Sequence, residues 1–486
     1  MKNKINTKIN FIYNLSYQIL AMILPLITAP YVSRVLGADG VGKYSYTASV
    51  ALYFIYFGML GVANYGNRSI AKVRENYEKR CKVFSSIYYM QLMTAGFSTA
   101  LYIIYIVCFQ SELKQLFVIQ TVYVLYGIFD ISWLFFGLEE FKMTALRQMI
   151  IRIVSVILIF GFVKEPNDLW IYTFIMCASN LMNALILWLF LPQKVRFCKV
   201  SLRVVFSHIR PSLILFIPLL AMSVFGMMDK IMIGKLVSYE AAGYYENADK
   251  IVLMSSSVFA SFNTVLMPKI SNLICKNDTK RAMHYFNLSI ELVMCVAIAM
   301  CFGMIAVSDD FIPIFFGSEY LPSINLMKGL AIGIPFIGWS QIYSVLYLIP
   351  ASKDTIYLKS TVLGAVINFG LNIVCIYIMG TMGAVVATVV SQIFIAVFQT
   401  YQVRKEINAF GFMKKIIGYM VIGIGMLLVI KLISINKEAT IGILLIEIIV
   451  GGGIYCIGSV IIMLKTKNEM LLSVFYNLKK KMRGAI

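Results

Sequence analysis

The sequence has 486 residues, of which 60% are hydrophobic and only 14% are charged, and its mean hydropathy is +0.82. Soluble domains carry about 25% charged residues, so this composition argues against a water-soluble fold. The formal net charge of +20 would favour a nucleic acid as partner of a soluble protein. Lysines and arginines that flank membrane spans account for that charge here without nucleic acid.

Apolar runs of about 20 residues recur from one end of the chain to the other, and each is long enough to cross a bilayer. The first run lacks a small-residue cleavage site, which predicts a retained span and not a signal peptide. In chain order, about fourteen transmembrane helices are predicted, at residues 11–32, 44–66, 84–109, 115–137, 146–163, 169–191, 212–233, 251–268, 288–307, 323–349, 360–379, 382–403, 416–434 and 440–464.

Basic residues are distributed unevenly between the two sides of this arrangement. With the N-terminus inside, 32 of the 43 lysines and arginines fall in cytoplasmic segments and 6 fall in outer loops. The bias predicts a multi-pass protein of the cytoplasmic membrane with both termini in the cytoplasm. No predicted loop is long enough to hold a soluble catalytic domain, so we do not expect an enzyme.

Residue types that hold metals and cofactors are sparse. The two histidines exclude a histidine-rich catalytic centre, and the nine cysteines are scattered through apolar segments without a CxxC pair. The sequence has no Walker A motif, so the chain does not hydrolyse ATP itself. We therefore predict neither a metal nor a cofactor.

The ends of the first and seventh spans resemble each other. Residues 33–37 (SRVLG) close the first span, and residues 229–234 (DKIMIG) close the seventh. An even number of spans separates the copies, so both enter from the same side, as in the parallel repeats of transporters. Chance similarity between apolar helices is the alternative. The repeat predicts two pseudo-symmetric six-helix lobes around a central cavity, at 1–200 and 201–410, followed by two additional helices and a basic tail at 411–486.

Two opposite charges lie at similar depth in neighbouring spans. Asp130 is about eight residues from the cytoplasmic end of the fourth span, or roughly 12 Å at helical rise. Arg152 lies at a similar depth in the fifth span. Charges inside a membrane are costly, so we expect an ion pair facing the lobe interior. The pair either serves transport or only fixes helix packing.

A second charged set lies at the predicted outer ends of the repeat helices, where few basic residues occur. Arg34 closes the first span, and Asp229 and Lys230 close the seventh. Arginine suits phosphate because its planar guanidinium donates two parallel hydrogen bonds. Arg34 and Lys230 are therefore candidate contacts to an anionic substrate, with an interfacial anchor as the alternative reading.

Other intramembrane polar residues are weaker candidates. Glu291 and Glu447 are single acids in the ninth and fourteenth spans, and they would be either coupling-ion sites or paired acids. Tyr17 and Gln18 give the first span a polar face, which would line a cavity or bond to a neighbouring helix.

Three motifs resemble the Wzx-type polysaccharide flippases. They are PYVSRVLG with GVGKYS at residues 30–45, YGNRSIA at 65–71, which contains Arg68, and the run from DISW to GLE at 130–139 with Arg147 and Arg152 beyond it. The resemblance covers roughly residues 10–270 and is much weaker in the last third of the chain.

The resemblance implies the fold of the multidrug and lipid-linked oligosaccharide exporters, with two lobes that open alternately to each side. It implies export of an oligosaccharide on undecaprenyl diphosphate for capsule, O-antigen or exopolysaccharide assembly, beside a polymerase and glycosyltransferases of the same pathway. Arg34, Lys230, Arg68, Arg152, Tyr17 and Gln18 would then contact the substrate, and Asp130, Asp229 and Glu291 would serve ion pairing or coupling.

Three other functions remain open at this point. A drug/cation antiporter of the same superfamily would need acids in the cavity, whereas the matched terminal motifs are basic. A flippase for the peptidoglycan lipid precursor would share the architecture and the headgroup chemistry. A membrane polymerase or ligase would need a long outer loop, which the predicted topology lacks.

Overall fold

The computed structural model describes the backbone of residues 2–407, 410–435 and 438–465 and, within these, the side chains other than those of 2–19, 21, 22, 142, 265 and 410–414. Every regular element of this described part is helical, which confirms the all-α fold. The α-helices are α1 (Lys2–Met59), α2 (Val62–Val73), α3 (Tyr77–Phe109), α4 (Lys114–Phe129), α5 (Ser132–Gly137), α6 (Phe141–Phe162), α7 (Leu169–Trp188), α8 (Leu202–Ser207), α9 (Ile209–Ser223), α10 (Asp229–Leu236), α11 (Tyr239–Cys275), α12 (Thr279–Phe315), α13 (Ser323–Ala331), α14 (Ile334–Ile342), α15 (Asp354–Met379), α16 (Thr381–Gln402), α17 (Phe410–Ser434) and α18 (Ile441–Lys465).

Thirteen segments of the described chain are long and apolar enough to cross a membrane. The first of them, Ile23–Val73, has 51 residues, whereas one crossing needs about 20. Gly37 divides α1 within this segment, because its backbone is not helical there (φ 68°, ψ 176°) and only glycine adopts such a φ at low cost. The chain is thus a multi-pass membrane protein, and the predicted number of about fourteen spans is in keeping with these segments.

The chain divides into two compact units, residues 1–246 and 247–486. The first unit holds α1 to α10 and the first two turns of α11. Helices α8, α9 and α10, which the repeat assigned to the second lobe, contact α3, α2 and α1 respectively. The lobe boundaries drawn from the sequence remain a prediction.

Helix α1 is the centre of the first unit, where it packs against α3, α4, α6 and α7. Beside it, the short helix α5 packs on α2 through two glycines. A Cβ at Gly66 would lie 2.5 Å from the ring of the buried Trp133, and a Cβ at Gly137 would lie 2.7 Å from Ile70. Two of the sequence motifs, 65–71 and 130–139, therefore pack against each other, and close packing explains their glycines.

Helix α12 is the centre of the second unit. It packs against α13, α14, α17 and α18. The two C-terminal helices α17 and α18 also pack on each other, and the hydroxyl of Tyr455 on α18 donates a hydrogen bond to the carbonyl of Cys295 on α12 at 2.9 Å. The extra helix pair expected from the sequence is therefore bound to the core of this unit.

Candidate functional site

A cavity of about 260 Å³ lies within the first unit, between α1, α4, α5, α6 and α7. Apolar side chains form part of its wall, and polar side chains from all five helices and the α4–α5 turn form the rest. The polar residues are Thr28, Tyr126, Asp130, Ser132, Arg147, Gln148, Arg152, Ser155, Ser179, Asn180 and Asn183.

Asp130 lies where α4 ends and α5 begins. Its backbone is extended (ψ 109°), which stops α4 at Phe129. One carboxylate oxygen accepts the backbone N–H of Ser132 at 3.0 Å, and the other accepts the hydroxyls of Tyr126 at 3.0 Å and Ser132 at 3.1 Å. The buried carboxylate thereby caps the short helix, since an aspartate oxygen satisfies an N–H that the helix itself leaves unbonded.

A second set of hydrogen bonds, from α3, holds the break between α4 and α5 in place. The side-chain amide of Gln91 on α3 donates to the carbonyls of Gly127 and Asp130, both at 2.8 Å, and its oxygen accepts the indole N–H of Trp133 at 3.0 Å. Gln91 is fully buried and makes all three of these hydrogen bonds, so they hold the end of α4 in one position.

Helix α6 supplies the two cations of the cavity. Positions 148, 152 and 155 recur at the three- and four-residue spacing of one helix face. Arg147 is buried and Arg152 is half-buried. Among the described lining residues, these two guanidinium groups face one carboxylate, Asp130, so the lining carries a net charge of +1.

Helix α7 supplies amide and hydroxyl oxygens. Asn180 Nδ2 donates to the carbonyl of Met176 at 2.9 Å, and Ser179 Oγ donates to the carbonyl of Ile175 at 2.7 Å. Asn183 Oδ1 is buried and receives no hydrogen bond from any described residue. The cavity thus combines guanidinium donors, which suit phosphate oxygens, with amides and hydroxyls, which suit sugar hydroxyls.

Asp130 and Arg152, which the sequence predicts to form an ion pair, lie in the same part of the structure. Both residues line the same cavity, as their similar depth suggested. The hydrogen bonds described for the carboxylate come from Tyr126 and Ser132. A direct ion pair between the two residues stays a prediction.

Lys230 belongs to a second polar group, which we call the α1–α10–α11 junction (Ser45, Asp229, Lys230, Tyr245 and Glu246). Its ammonium forms an ion pair with Glu246 at 2.6 Å, and the Ser45 hydroxyl donates to the same carboxylate oxygen at 2.9 Å. The lysine and glutamate side chains are only 12% and 17% exposed. Lys230 would therefore have to leave this carboxylate in order to bind an anion.

Close helix packing surrounds this junction. The fully buried Asp229 accepts the hydroxyl of Tyr245 at 2.6 Å. A Cβ added to Gly243 would lie 2.9 Å from the carbonyl carbon of Ala38, and one added to Gly42 would meet the carbonyl of Tyr239. The chain segments that follow the two repeat stretches, at Ala38–Gly42 and Tyr239–Gly243, therefore lie directly against each other within the first unit.

The remaining predicted site residues are spread over the molecule. Arg34, at the end of the first arm of α1, and Arg68, on α2, are both exposed. Tyr17 and Gln18 lie outside the residues whose side chains are described. These four residues are not brought into the cavity lining by any described contact.

Glu291 has its own cation in the second unit. The carboxylate on α12 is 4% exposed and pairs with the ammonium of Lys415 on α17 at 2.7 Å. The hydroxyl of Tyr419 donates to its other oxygen at 3.3 Å. This geometry is that of a structural ion pair between two helices.

Several of the polar residues were not found from the sequence. Asn180 and Asn183 are a polar pair three residues apart in an otherwise apolar span, a signal that would have indicated a cavity-facing stripe. In the sequence, Arg147 stands out only as part of a motif, and Glu246 falls between the predicted spans 212–233 and 251–268. Its pairing with Lys230 depends on α11 beginning at Tyr239, well before the apolar stretch.

Comparison with known proteins gives a family and a fold. The model of a family described as polysaccharide biosynthesis protein matches residues 8–274. A protein named as an O-antigen transporter from Shigella dysenteriae is 22% identical over 391 residues, which cover 79% of this chain and 96% of that protein.

Two solved structures share the fold. A structure of the lipid II flippase MurJ in an inward closed conformation superposes with a TM-score of 0.76 at 19% identity, over 95% of this chain and 100% of that one. An inward-facing multidrug resistance MATE family transporter of the MOP superfamily superposes with a TM-score of 0.58 at 12% identity, over 79% of this chain and 98% of that one. At these identities the likeness concerns the fold.

Proposed function

The chain belongs to the polysaccharide biosynthesis protein family, and from that premise we propose that it is a flippase for undecaprenyl-diphosphate-linked oligosaccharide repeat units. It moves them across the cytoplasmic membrane by alternating access, as a transporter and not as an enzyme. The repeat units then enter capsule, O-antigen or exopolysaccharide assembly. Its partners are the lipid-linked substrate, the surrounding membrane lipids, and the polymerase and glycosyltransferases of the same pathway.

The observation that carries this proposal is the match to a protein named as an O-antigen transporter, which extends over 79% of this chain and 96% of that protein. The chemistry of the cavity supports it. A lipid-linked oligosaccharide has an anionic diphosphate beside a glycan, and the cavity places a net positive charge beside amides and hydroxyls. A cation antiporter would require the opposite charge balance.

We assign the recognition of the diphosphate to Arg147 and Arg152. Each guanidinium can donate paired hydrogen bonds to phosphate oxygens. Asn180 and Asn183 lie on the facing helix and are placed to bond sugar hydroxyls. Asp130 has a positioning role, because its three hydrogen bonds fix the turn that carries Tyr126 and Ser132 into the cavity wall.

Arg34, Arg68 and Lys230 remain proposed substrate contacts at a different stage of transport. Arg34 and Arg68 are exposed and can meet the substrate as it enters or leaves. Lys230 becomes available only when Glu246 releases it. Asp229 stays with Tyr245 in this proposal and supports the helix end.

The test is complementation of surface polysaccharide in a strain that lacks the gene, with the amount of protein in the membrane measured in parallel. A charge-assisted hydrogen bond contributes about 1.5–3 kcal/mol, so Arg147→Gln and Arg152→Gln should each reduce export by roughly tenfold or more. Arg152→Lys should restore part of the loss. Arg281→Gln removes a highly exposed arginine and serves as the charge-matched control.

A wild-type amount of surface polysaccharide from the Arg147→Gln/Arg152→Gln double variant, at normal protein abundance, would show that the cavity does not bind the substrate. Two further assays separate the alternatives. Rescue of a strain depleted of its peptidoglycan precursor flippase would favour that substrate, and efflux of a cationic dye would favour an antiporter.

The proposed orientation places both termini in the cytoplasm. Reporter fusions at Asn76 should give a cytoplasmic signal, and fusions at Asn167 should give an outer signal. The charge bias predicts that these two turns lie on opposite sides of the membrane. The reverse pair of signals would overturn the orientation without affecting the helix assignment.

A further inference from the structure

Two carboxyl groups meet where α18 packs on α12, and the cavity of the first unit does not involve them. Asp310 on α12 is 8% exposed, and Glu447 on α18 is fully buried. One oxygen of Glu447 accepts the hydroxyl of Ser434 on α17. The other oxygen receives no hydrogen bond from a described residue, and the carboxyl group of Asp310 lies within interaction range of Glu447.

The two lysines of this region form ion pairs with Asp309, not with Asp310 or Glu447. The ammonium of Lys328 on α13 bonds one oxygen of Asp309 at 2.6 Å, and the ammonium of Lys431 on α17 bonds the other. We call these five groups the α12–α18 cluster (Asp309, Asp310, Lys328, Lys431 and Glu447). Fully ionised, it holds three negative and two positive charges, so its net charge is −1.

The surrounding elements offer no further described cation. Helix α14 carries no charged side chain, and the turn at 318–320 adds the exposed Glu319 and the buried Tyr320. Lys431 is also within electrostatic range of Glu447, but its ion pair is with Asp309. One uncompensated negative charge in an apolar bundle is costly, and a single proton would remove it.

We propose that Asp310 and Glu447 form a proton-binding site that holds one proton between them. Protonated Glu447 donates from its otherwise unbonded oxygen to the carboxylate of Asp310, which joins α18 to α12. Loss of the proton leaves two adjacent carboxylates that repel each other, so α18 separates from α12. The site does not rest on the nature of the transported substrate, and it couples proton binding to the packing of the C-terminal helix pair.

Glu291 shows that burial alone does not make an acid of this unit a proton-binding site. It is a buried glutamate on the same helix, and it also contacts α17, but Lys415 and Tyr419 neutralise and bond it. It gives a matched control, because Glu291→Gln removes a buried acid from α12 without removing the bound proton.

The test is infrared spectroscopy of the full chain in lipid nanodiscs, titrated with alkali. The wild type should show the carbonyl stretch of one protonated carboxyl group at neutral pH, and this band should disappear as the pH rises. Glu447→Gln and Asp310→Asn should each abolish the band, whereas Glu291→Gln should leave it unchanged. The thermal midpoint of the wild type should fall over the same pH range, and that of Glu447→Gln should not.

Asparagine and glutamine keep the shape of the acids, so the folded state of both variants can be checked by circular dichroism. Absence of the band from the wild type at neutral pH would overturn the proposal. So would a band that persists in both Glu447→Gln and Asp310→Asn. Export activity is not needed for this measurement, so its outcome is independent of the proposed function.

Discussion

The cavity of the first unit and the α12–α18 cluster of the second unit carry surplus charge of opposite sign. In the cavity of the first unit, Arg147 and Arg152 outnumber the single acid Asp130. In the α12–α18 cluster of the second unit, three acids outnumber two lysines. A buried site with a surplus charge attracts a ligand of the opposite sign, so the first unit suits an anion and the second suits a proton.

The two regions also satisfy their acids differently. Asp130 accepts three hydrogen bonds, from the hydroxyls of Tyr126 and Ser132 and from the backbone N–H of Ser132. Glu447 accepts one hydrogen bond, and its second oxygen has no described donor. The comparison teaches that two buried acids of one membrane protein can differ in how fully their oxygens are hydrogen-bonded, which depth alone does not reveal.

The largest expected effect concerns the acid that has its own cation. Lys415→Met leaves the Glu291 carboxylate buried without its ion-pair partner and should destabilise the protein by about 3 kcal/mol. The Lys415→Met/Glu291→Gln double variant should recover most of the loss, because both charges are then removed. Thermal unfolding in detergent measures the cycle, and strictly additive losses would show that the pair is not coupled.

A smaller effect is expected at Asp130. Asp130→Ala removes the cap of α5 and should cost about 1–2 kcal/mol, whereas Asp130→Asn can still accept the N–H of Ser132 and should cost less. Both variants raise the net positive charge of the cavity. A cycle with Arg152→Gln tests the predicted ion pair, and additivity on thermal stability would reject it.

The smallest effect lies outside the spans, at Glu406. The ammonium of Lys353 and the hydroxyl of Tyr347 donate to this carboxylate and hold its pKa below its usual value. Stability from this pair is therefore present above pH ~4.3 and is lost as the pH falls further, through the lowered pKa. The group is 44% exposed, so the contribution should be only about 0.5 kcal/mol.

Acid titration of the unfolding midpoint checks this sign, with Glu406→Gln as the comparison. As the pH falls below the ordinary pKa of a glutamate carboxyl, the unfolding midpoint of Glu406→Gln should fall slightly less than that of the wild type. A wild-type midpoint that rises as the pH is lowered through this range would contradict the direction of the shift.

The fold was largely predictable from the sequence, because hydropathy and charge bias report directly on membrane crossing. The described helices cover most of the residues of the predicted spans. Some spans are divided between two helices, as 115–137 is between α4 and α5, and many helices extend beyond the predicted ends. Helix α11 begins at Tyr239 and α12 ends at Phe315, whereas the predicted spans were 251–268 and 288–307. A window of hydropathy detects the apolar part of a helix and misses polar turns that continue it.

The charged pairs were less predictable. Glu291 and Lys415 are separated by 124 positions, and Lys431 and Asp309 by 122. Their pairing depends on α17 lying beside α12, which periodicity in one sequence does not reveal. Asp130 and Arg152 line one cavity, because neighbouring antiparallel spans usually pack together and bring residues of similar depth to one region, while their ion pair stays a prediction.

The central claim, that the first unit recognises an anionic headgroup, is tested most directly by binding of a short-chain polyprenyl diphosphate to the purified full chain in nanodiscs. The account predicts that Arg147→Gln/Arg152→Gln weakens binding by roughly 100-fold or more, since two charge-assisted contacts of about 1.5–3 kcal/mol each are lost. The exposed-arginine control Arg281→Gln should bind like the wild type. Equal affinity of the double variant and the wild type, with both folded, would contradict the claim.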